Sequence, residues 1–218
     1  MAYKMNASKH LIRRCVELAY EYHNGHLASA LSALPIIEKI YKTFDHEKDV
    51  FVLSKGHGCL ALYAVLEVHG YHPDCSKVHP DIDVENGISC TTGSLGHGLP
   101  MAVGMALAKK LKGEDGTVHV LLGDGECQEG TTWESLMILK GLNLDNIKVH
   151  IDINDKQALG DLVLPVRRFL DAIADWCPHI MQRHLTIKGD GVSFMEENPA
   201  HVHHLSEAEY ETAMEELK

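Results

Sequence analysis

The sequence lacks long hydrophobic runs and is poor in positive charge, and both absences exclude functions. No apolar stretch approaches the roughly 18 residues that a membrane span requires. The polar start of the chain does not lead into the apolar core of a signal peptide. With 20 Lys and Arg against 31 Asp and Glu, the formal net charge is −11. We therefore expect no nucleic-acid partner and no membrane partner.

Closely spaced cysteine pairs are also absent. The six cysteines include no CxxC motif, so we expect reduced thiols and a cytoplasmic protein. The remaining composition is 45% hydrophobic and 23% charged over 218 residues, which is typical of a soluble globular protein. A single domain covering 1–218 is the simplest interpretation.

Strand patterns and helix patterns alternate along the chain. Apolar runs predict strands at 50–53, 117–122, 147–152 and 184–188. Helical patterns predict helices at 7–22, 32–43, 58–69, 99–111, 132–141 and 164–177, and 206–217 is a polar helix or tail. Alternation of this kind indicates an α/β fold with a mainly parallel sheet flanked by helices. Such sheets bind ligands beyond the carboxyl ends of their strands.

Two local signals set helix boundaries in this prediction. Pro35 is expected near the start of its helix, where a proline is tolerated. Thr131 and Glu134 have the spacing of a capping box for the helix that follows.

Two of the predicted strands end in residues suited to metal binding. Gly123-Asp124-Gly125 closes one strand, and Asn154 closes the next, 30 residues after Asp124. Because a right-handed crossover brings both strand ends to one edge of the sheet, the two side chains should converge. Carboxylate and amide oxygens suit Mg²⁺ or Ca²⁺ carrying phosphate oxygens, and the glycines would let phosphate approach the backbone.

Five segments, in order, resemble those of the transketolase family. They are Asn24–His26, Leu53–His57, Thr91–Gly98 with Ala102–Ala106, Gly123–Gly130 with Ile151–Asn154, and Thr186–Asn198. The resemblance spans nearly the whole chain. It implies a thiamine-diphosphate-binding fold, with thiamine diphosphate and Mg²⁺ as cofactors and Ca²⁺ as an alternative cation.

The resemblance also implies roles for individual residues. The metal ligands would be the side chains of Asp124 and Asn154 and the carbonyl of Lys156. Further cofactor contacts would come from His57, Gly93, Leu95, Gly123, Gly125 and Glu129. The catalytic residues would be His26, His57, His79 and Glu129, with Glu129 at a subunit interface near the pyrimidine ring. His203 is a weaker match to a late family histidine, and His201, His203 and His204 are expected to be solvated.

Transketolases of full length carry a pyrimidine-binding domain and a C-terminal domain after the region that resembles this chain. The resemblance therefore implies a split enzyme in which a second subunit supplies those domains. Self-association into a heterotetramer is expected. The reaction would be transfer of a two-carbon ketol unit between sugar phosphates.

Two alternatives and two departures from the family pattern stay open. The chain could serve another thiamine-diphosphate reaction on modified sugars, or it could be a non-catalytic module derived from such an enzyme. His97 stands where the family commonly has Gln, and the span from Gly160 to Thr186 is short, keeping a helix at Val166–Trp176. A dinucleotide-binding dehydrogenase is disfavoured because Gly93–Gly98 is not a GxGxxG motif after a first strand.

Overall fold

The computed structural model describes residues 7–158, 160–161, 168, 170–171, 179–197 and 200–218. The predicted helix at 164–177, with its Val166–Trp176 core, lies largely outside these residues, as does most of the shortened span. The chain forms two compact units. The first comprises the chain up to Thr43 with His57–Thr91 and Leu185–Lys218, and the second comprises Phe44–Gly56 and Thr92–His184. The single-domain interpretation of 1–218 stays a prediction.

The second unit is built on a four-stranded sheet. Its strands are β1 (Val50–Leu53), β2 (Val118–Gly123), β3 (Ile147–Ile153) and β6 (Met181–Leu185), and they lie side by side in that order. β1 and β3 both run parallel to β2, and Gly123 lies opposite Asp152 at their carboxyl ends. β1, β2 and β3 are buried along most of their length, as expected for parallel strands covered on both faces, whereas β6 buries only Met181 and His184.

The α/β prediction is confirmed, and three of the four strands lie within one residue of their predicted bounds. The fourth prediction, 184–188, is wrong by three residues, because β6 covers Met181–Leu185. Its polar sequence has no apolar run that would have placed it. Pairing beside β3 sets its position instead, starting with the Val149 N–H, which donates to the Ile180 carbonyl at 2.9 Å.

Among the residues described in this unit, one helix packs on the sheet and another packs on that helix. Helix α4 (Gly98–Lys112) packs on β1, β2 and β3, and α5 (Gly130–Gly141) packs on α4. The predicted capping box is wrong: Glu129 is the N-cap of α5 and its side chain makes no capping bond. The Thr131 hydroxyl donates instead to the Gly96 carbonyl at 2.8 Å, so a tertiary partner displaces the local one. A short hairpin of β4 (Lys156–Gln157) and β5 (Gly160–Asp161), which no sequence pattern predicts, follows β3.

Three histidine rings form a ladder across the sheet. His119 Nδ1 lies 3.1 Å from His150 Nε2, and His150 Nδ1 lies 3.1 Å from His184 Nε2. Successive ring centroids are 5.4 Å apart, with interplanar angles of 22° and 20°. β2, β3 and β6 are thus joined by side chains as well as by their backbones.

The first unit is helical. It contains α1 (Lys9–Glu21), α2 (Leu27–Tyr41), α3 (Cys59–Val68), α6 (Ser193–Glu197) and α7 (Glu207–Glu216). Helices α1, α2 and α3 pack on one another, and α7 packs on α1 with Tyr210 stacked on Tyr20 at 4.3 Å. Arg14 ties α1 to α3 through two bonds to Glu67, of 2.7 and 2.9 Å.

Helix α2 begins five residues before its predicted start, which places Pro35 in its interior. The helix is buried on nearly every side, so its first turn lacks the apolar and polar alternation that periodicity needs. The Asn24 side-chain oxygen Oδ1 accepts a hydrogen bond from the His26 N–H at 3.0 Å at the end of the preceding loop. Helix α2 then starts at Leu27.

No helix in the described ranges combines the length and the apolar character that crossing a bilayer demands. The five cysteines in those ranges are buried and form no disulfide.

Candidate cofactor site

Asp124 begins the turn after β2 and is held by backbone amides. Its own N–H donates to the Asp152 carbonyl at 3.0 Å, which continues the pairing of the two strands. The carboxylate accepts from the N–H groups of Gly125 (2.8 Å), Asn154 (2.8 Å) and Asp155 (2.6 Å). The structure therefore brings the end of β2 and the end of β3 together at this carboxylate.

Asn154 starts a tight turn on the other side of the same place. Its Oδ1 accepts from the Lys156 N–H at 3.1 Å, and Asp155 between them has a left-handed φ of 60°. The three expected metal ligands, Asp124, Asn154 and Lys156, consequently belong to one hydrogen-bonded arrangement of two adjoining turns.

The charges around Asp124 favour a cation. Burial raises the pKa of Asp124, and the neighbouring Asp152 carboxylate raises it further. Asp152 is fully buried and pairs with Lys55, whose Nζ lies 2.5 Å from Oδ2. Two carboxylates against one ammonium leave a negative excess, which a bound divalent cation would offset.

The ligand types also fit a hard cation bound to phosphate. Among the residues the structure describes, no group of three or more His, Cys, Asp and Glu side chains could hold a metal by itself. A cation here would instead take one carboxylate, one amide oxygen and one carbonyl, with further positions left for phosphate oxygens and water. Mg²⁺ is commonly bound in this way, through few protein ligands and substrate phosphates.

The Gly-rich loop, Gly93–Gly98, lies in the same unit and depends on glycine at position 96. Gly96 has a φ of 81°, and a Cβ there would lie 2.5 Å from Thr131 Oγ1. Its N–H donates to Glu126 at 2.8 Å, and its carbonyl accepts from Thr131. Leu95, which is expected to face the cofactor, is half-buried.

Glu126 is a residue of this site that sequence reasoning missed. It is 1% exposed, and burial raises its pKa. The predicted Glu129 lies three residues later, exposed at the N-cap of α5. Both glutamates follow the Gly123–Gly125 motif, and nothing in their immediate sequence separates the buried one from the exposed one.

Histidines gather in the first unit. The His26 ring centroid lies 5.7 Å from those of His57 and His79, and 5.0 Å from that of His201. Burial and the neighbouring His201 lower the pKa of His26 to about 4, so it is uncharged at neutral pH. A neutral imidazole can both donate and accept a hydrogen bond, as the binding of a substrate hydroxyl requires.

His201 is the second residue that sequence reasoning missed, since its segment is predicted to be solvated. The His201 carbonyl lies 3.2 Å from His26 Nδ1, and its ring is 5.3 Å from His57. The His203 N–H anchors the segment on the Gly25 carbonyl at 2.8 Å, while the His203 ring binds Glu209 at 2.9 Å. The local sequence carries no signal for this, because the contact joins residues far apart in the chain.

A family model described as "Transketolase, thiamine diphosphate binding domain" matches residues 5–164. The chain belongs to the transketolase family. Its thiamine-diphosphate-binding domain is the part that the match covers, and the match includes both the Asp124 turn and the Asn154 turn.

Curated relatives include proteins named as transketolase subunits. The chain is 31% identical over 243 residues to a subunit of the apulose-4-phosphate transketolase of Actinobacillus succinogenes, a match that covers 89% of this chain and 88% of that protein. It is 38% identical over 156 residues to "6-deoxy-6-sulfo-D-fructose transketolase subunit SqwG" of Clostridium sp., covering 62% of this chain and 57% of the relative.

Solved transketolases share the fold. The crystal structure of the Campylobacter jejuni enzyme matches 96% of this chain with a TM-score of 0.79 at 22% identity. At a sequence identity this low, the structural match establishes a shared fold only. The chain spans 42% of the length of that transketolase.

Proposed function

We propose that this chain is the thiamine-diphosphate-binding subunit of a split transketolase. The reaction is the transfer of a two-carbon ketol unit between sugar phosphates, completed by a partner chain. The observation that carries the proposal is the Asp124 carboxylate, buried and held by the backbone of the Asn154 turn. The names of the similar proteins support it, because they too describe transketolase subunits.

In this proposal Asp124, Asn154 and the Lys156 carbonyl hold Mg²⁺, with Ca²⁺ as a possible substitute. Gly123 and Gly125, on either side of Asp124, form the turn that meets the diphosphate. Thiamine diphosphate, when bound, supplies the nucleophilic carbon and the electron sink of the reaction. The chain itself contributes binding, orientation and charge neutralisation at the diphosphate end.

The histidines His26, His57 and His79 act on the sugar in this proposal. A His26 that stays neutral can accept a hydrogen bond from a sugar hydroxyl and so orient the substrate. His57 contributes to cofactor binding as well, and Gly93 and Leu95 face the aminopyrimidine. Glu129, exposed at the start of α5, meets a neighbouring subunit near the pyrimidine ring.

The partner chain supplies the pyrimidine-binding and C-terminal domains, and the assembly is a heterotetramer with self-association of this subunit. We place the assembly in the cytoplasm, which suits the buried thiols that form no disulfide.

Titration calorimetry with thiamine diphosphate, with and without MgCl₂, tests the site. Wild-type chain is expected to bind in a Mg²⁺-dependent manner. Asp124→Ala is expected to weaken binding by about 100-fold or more, because residues that merely hydrogen-bond to metal ligands are already worth about 10–100-fold. Asp115→Ala, at an exposed aspartate of the same unit, is the control and should bind like wild type.

Two results would contradict the proposal. Binding that is indifferent to both Mg²⁺ and Asp124 would remove the metal site. Efficient ketol transfer by the purified chain alone would remove the requirement for a partner.

A further inference from the structure

One buried carboxylate joins three segments of the second unit. Glu126 Oε1 accepts from the Ser54 hydroxyl, just after β1, and from the Gly96 N–H at 2.8 Å. Its Oε2 accepts from the Gly123 N–H, at the end of β2, at 3.3 Å. A single side chain thus connects the Gly-rich loop to the strand end that carries Asp124.

We propose that Glu126 is a positioning residue, which holds the Gly93–Gly98 loop at the correct distance from the Asp124 turn. This inference rests on the proposed function, in which the Asp124 turn binds the diphosphate and the loop meets the ring end of the cofactor. Glu126 would then set the relative placement of the two ends of the cofactor site without contacting the cofactor.

The donor pattern explains why a glutamate stands here. Three donors converge on the side chain, and an ionised carboxylate has acceptor oxygens for all of them. A glutamine has one oxygen and one NH₂ group, so at least one donor would face another donor. A buried N–H without an acceptor carries a free-energy penalty, which a shift of the loop would relieve.

A second contact constrains the same peptide from the other side. Thr131 donates to the Gly96 carbonyl while Glu126 accepts from the Gly96 N–H. Both residues come from the segment just after Asp124, and the space around Gly96 has no room for a Cβ. The position of the loop is therefore set by the segment that follows the expected metal ligand.

The experiment compares two ligands that share the diphosphate and differ in the ring. The dissociation constants of thiamine diphosphate and of inorganic pyrophosphate, each with excess Mg²⁺, are measured by calorimetry on the full chain. Glu126→Gln is expected to weaken thiamine diphosphate about tenfold. Pyrophosphate should lose clearly less affinity than thiamine diphosphate, because it depends on Glu126 only through the Gly123 N–H and does not reach the loop. A role limited to stability would not separate the two ligands.

A second variant keeps the test decisive if Glu126→Gln does not fold. Thr131→Val removes the other hydrogen bond to Gly96 and should weaken thiamine diphosphate selectively, in the same direction. Glu134→Gln and Thr43→Val, at exposed positions, are the matched controls and should bind both ligands like wild type.

The outcomes separate this inference from the proposed function. Equal weakening of both ligands, or no weakening in either variant, would overturn the role of Glu126 while the site itself stands. A wild-type chain that binds neither ligand would overturn the proposed function and this inference with it. Asp124→Ala should weaken both ligands together.

Discussion

Replacing Lys55 by methionine removes the positive charge from a buried ion pair. Lys55 is 2% exposed and Asp152 0% exposed, with 2.5 Å between Nζ and Oδ2. Methionine preserves much of the length and apolar volume of the lysine chain, so the change is mainly electrostatic. The Asp152 carboxylate would then stay in the interior beside Asp124, whose charge it already opposes.

The expected loss of unfolding free energy is large. Breaking a buried pair by removing one partner costs about 3–5 kcal/mol, because the remaining charge stays buried after its counter-ion is lost. For a chain of this length each kcal/mol lowers the melting temperature by about 2–4 °C, so Lys55→Met should melt about 6–20 °C lower. The double variant with Asp152→Asn removes the stranded charge and should recover a substantial part of the loss.

Urea unfolding and thermal melting, both followed by far-UV circular dichroism at pH 7.5, measure this effect. Lys112→Met is the control. The Lys112 ammonium lies 3.6 Å from Glu114 and both side chains are exposed, so this substitution should change the free energy of unfolding by less than about 1 kcal/mol. A Lys55→Met loss below about 1 kcal/mol would refute the reasoning. A double variant as unstable as the sum of the two single variants would refute it as well.

Two further predictions concern histidines. The pKa of His26 is lowered from 6.5 to about 4, so the unfolded chain binds this proton at a higher pH than the folded protein does. Stability from this group is complete above about pH 6.5 and falls by up to about 3 kcal/mol as the pH drops to 4. His26→Gln should flatten that slope in urea titrations, with His10→Gln, at an exposed position, as the matched control. His150→Leu should destabilise the protein by about 1–3 kcal/mol, because His119 and His184 each lose a ring hydrogen bond. Thermal melting measures this effect against His10→Leu, and equal melting temperatures for the two variants would contradict it.

Local sequence was sufficient where one segment decides its own structure. The apolar runs of β1, β2 and β3 could be located because buried parallel strands are apolar on both faces.

Helix capping follows the local sequence only in part. The sequence Ser206-Glu-Ala-Glu209 forms a capping box for α7 as its spacing dictates, whereas the predicted box at Thr131 yields to a tertiary contact with Gly96.

Residues whose role comes from distant neighbours were not predictable in this way. Glu126 and Glu129 carry the same side chain three positions apart, and only the packing of Ser54 and Gly96 makes one of them a buried acceptor. His201 reaches His26 across 175 positions of the chain, so no local pattern marks it.

The order of apolar runs and glycine turns determined the α/β class, and right-handed connection then required that Asp124 and Asn154 approach each other. Chain chirality and hydrophobic burial act on every such sequence, so no coordinates were needed for these two conclusions. Only tertiary packing decided which polar side chains are buried away from solvent. Burial of Glu126, His26 and the Lys55–Asp152 pair depends on surfaces contributed by several segments at once. That desolvation raises the pKa of Glu126, lowers the pKa of His26 and makes the ion pair costly to break.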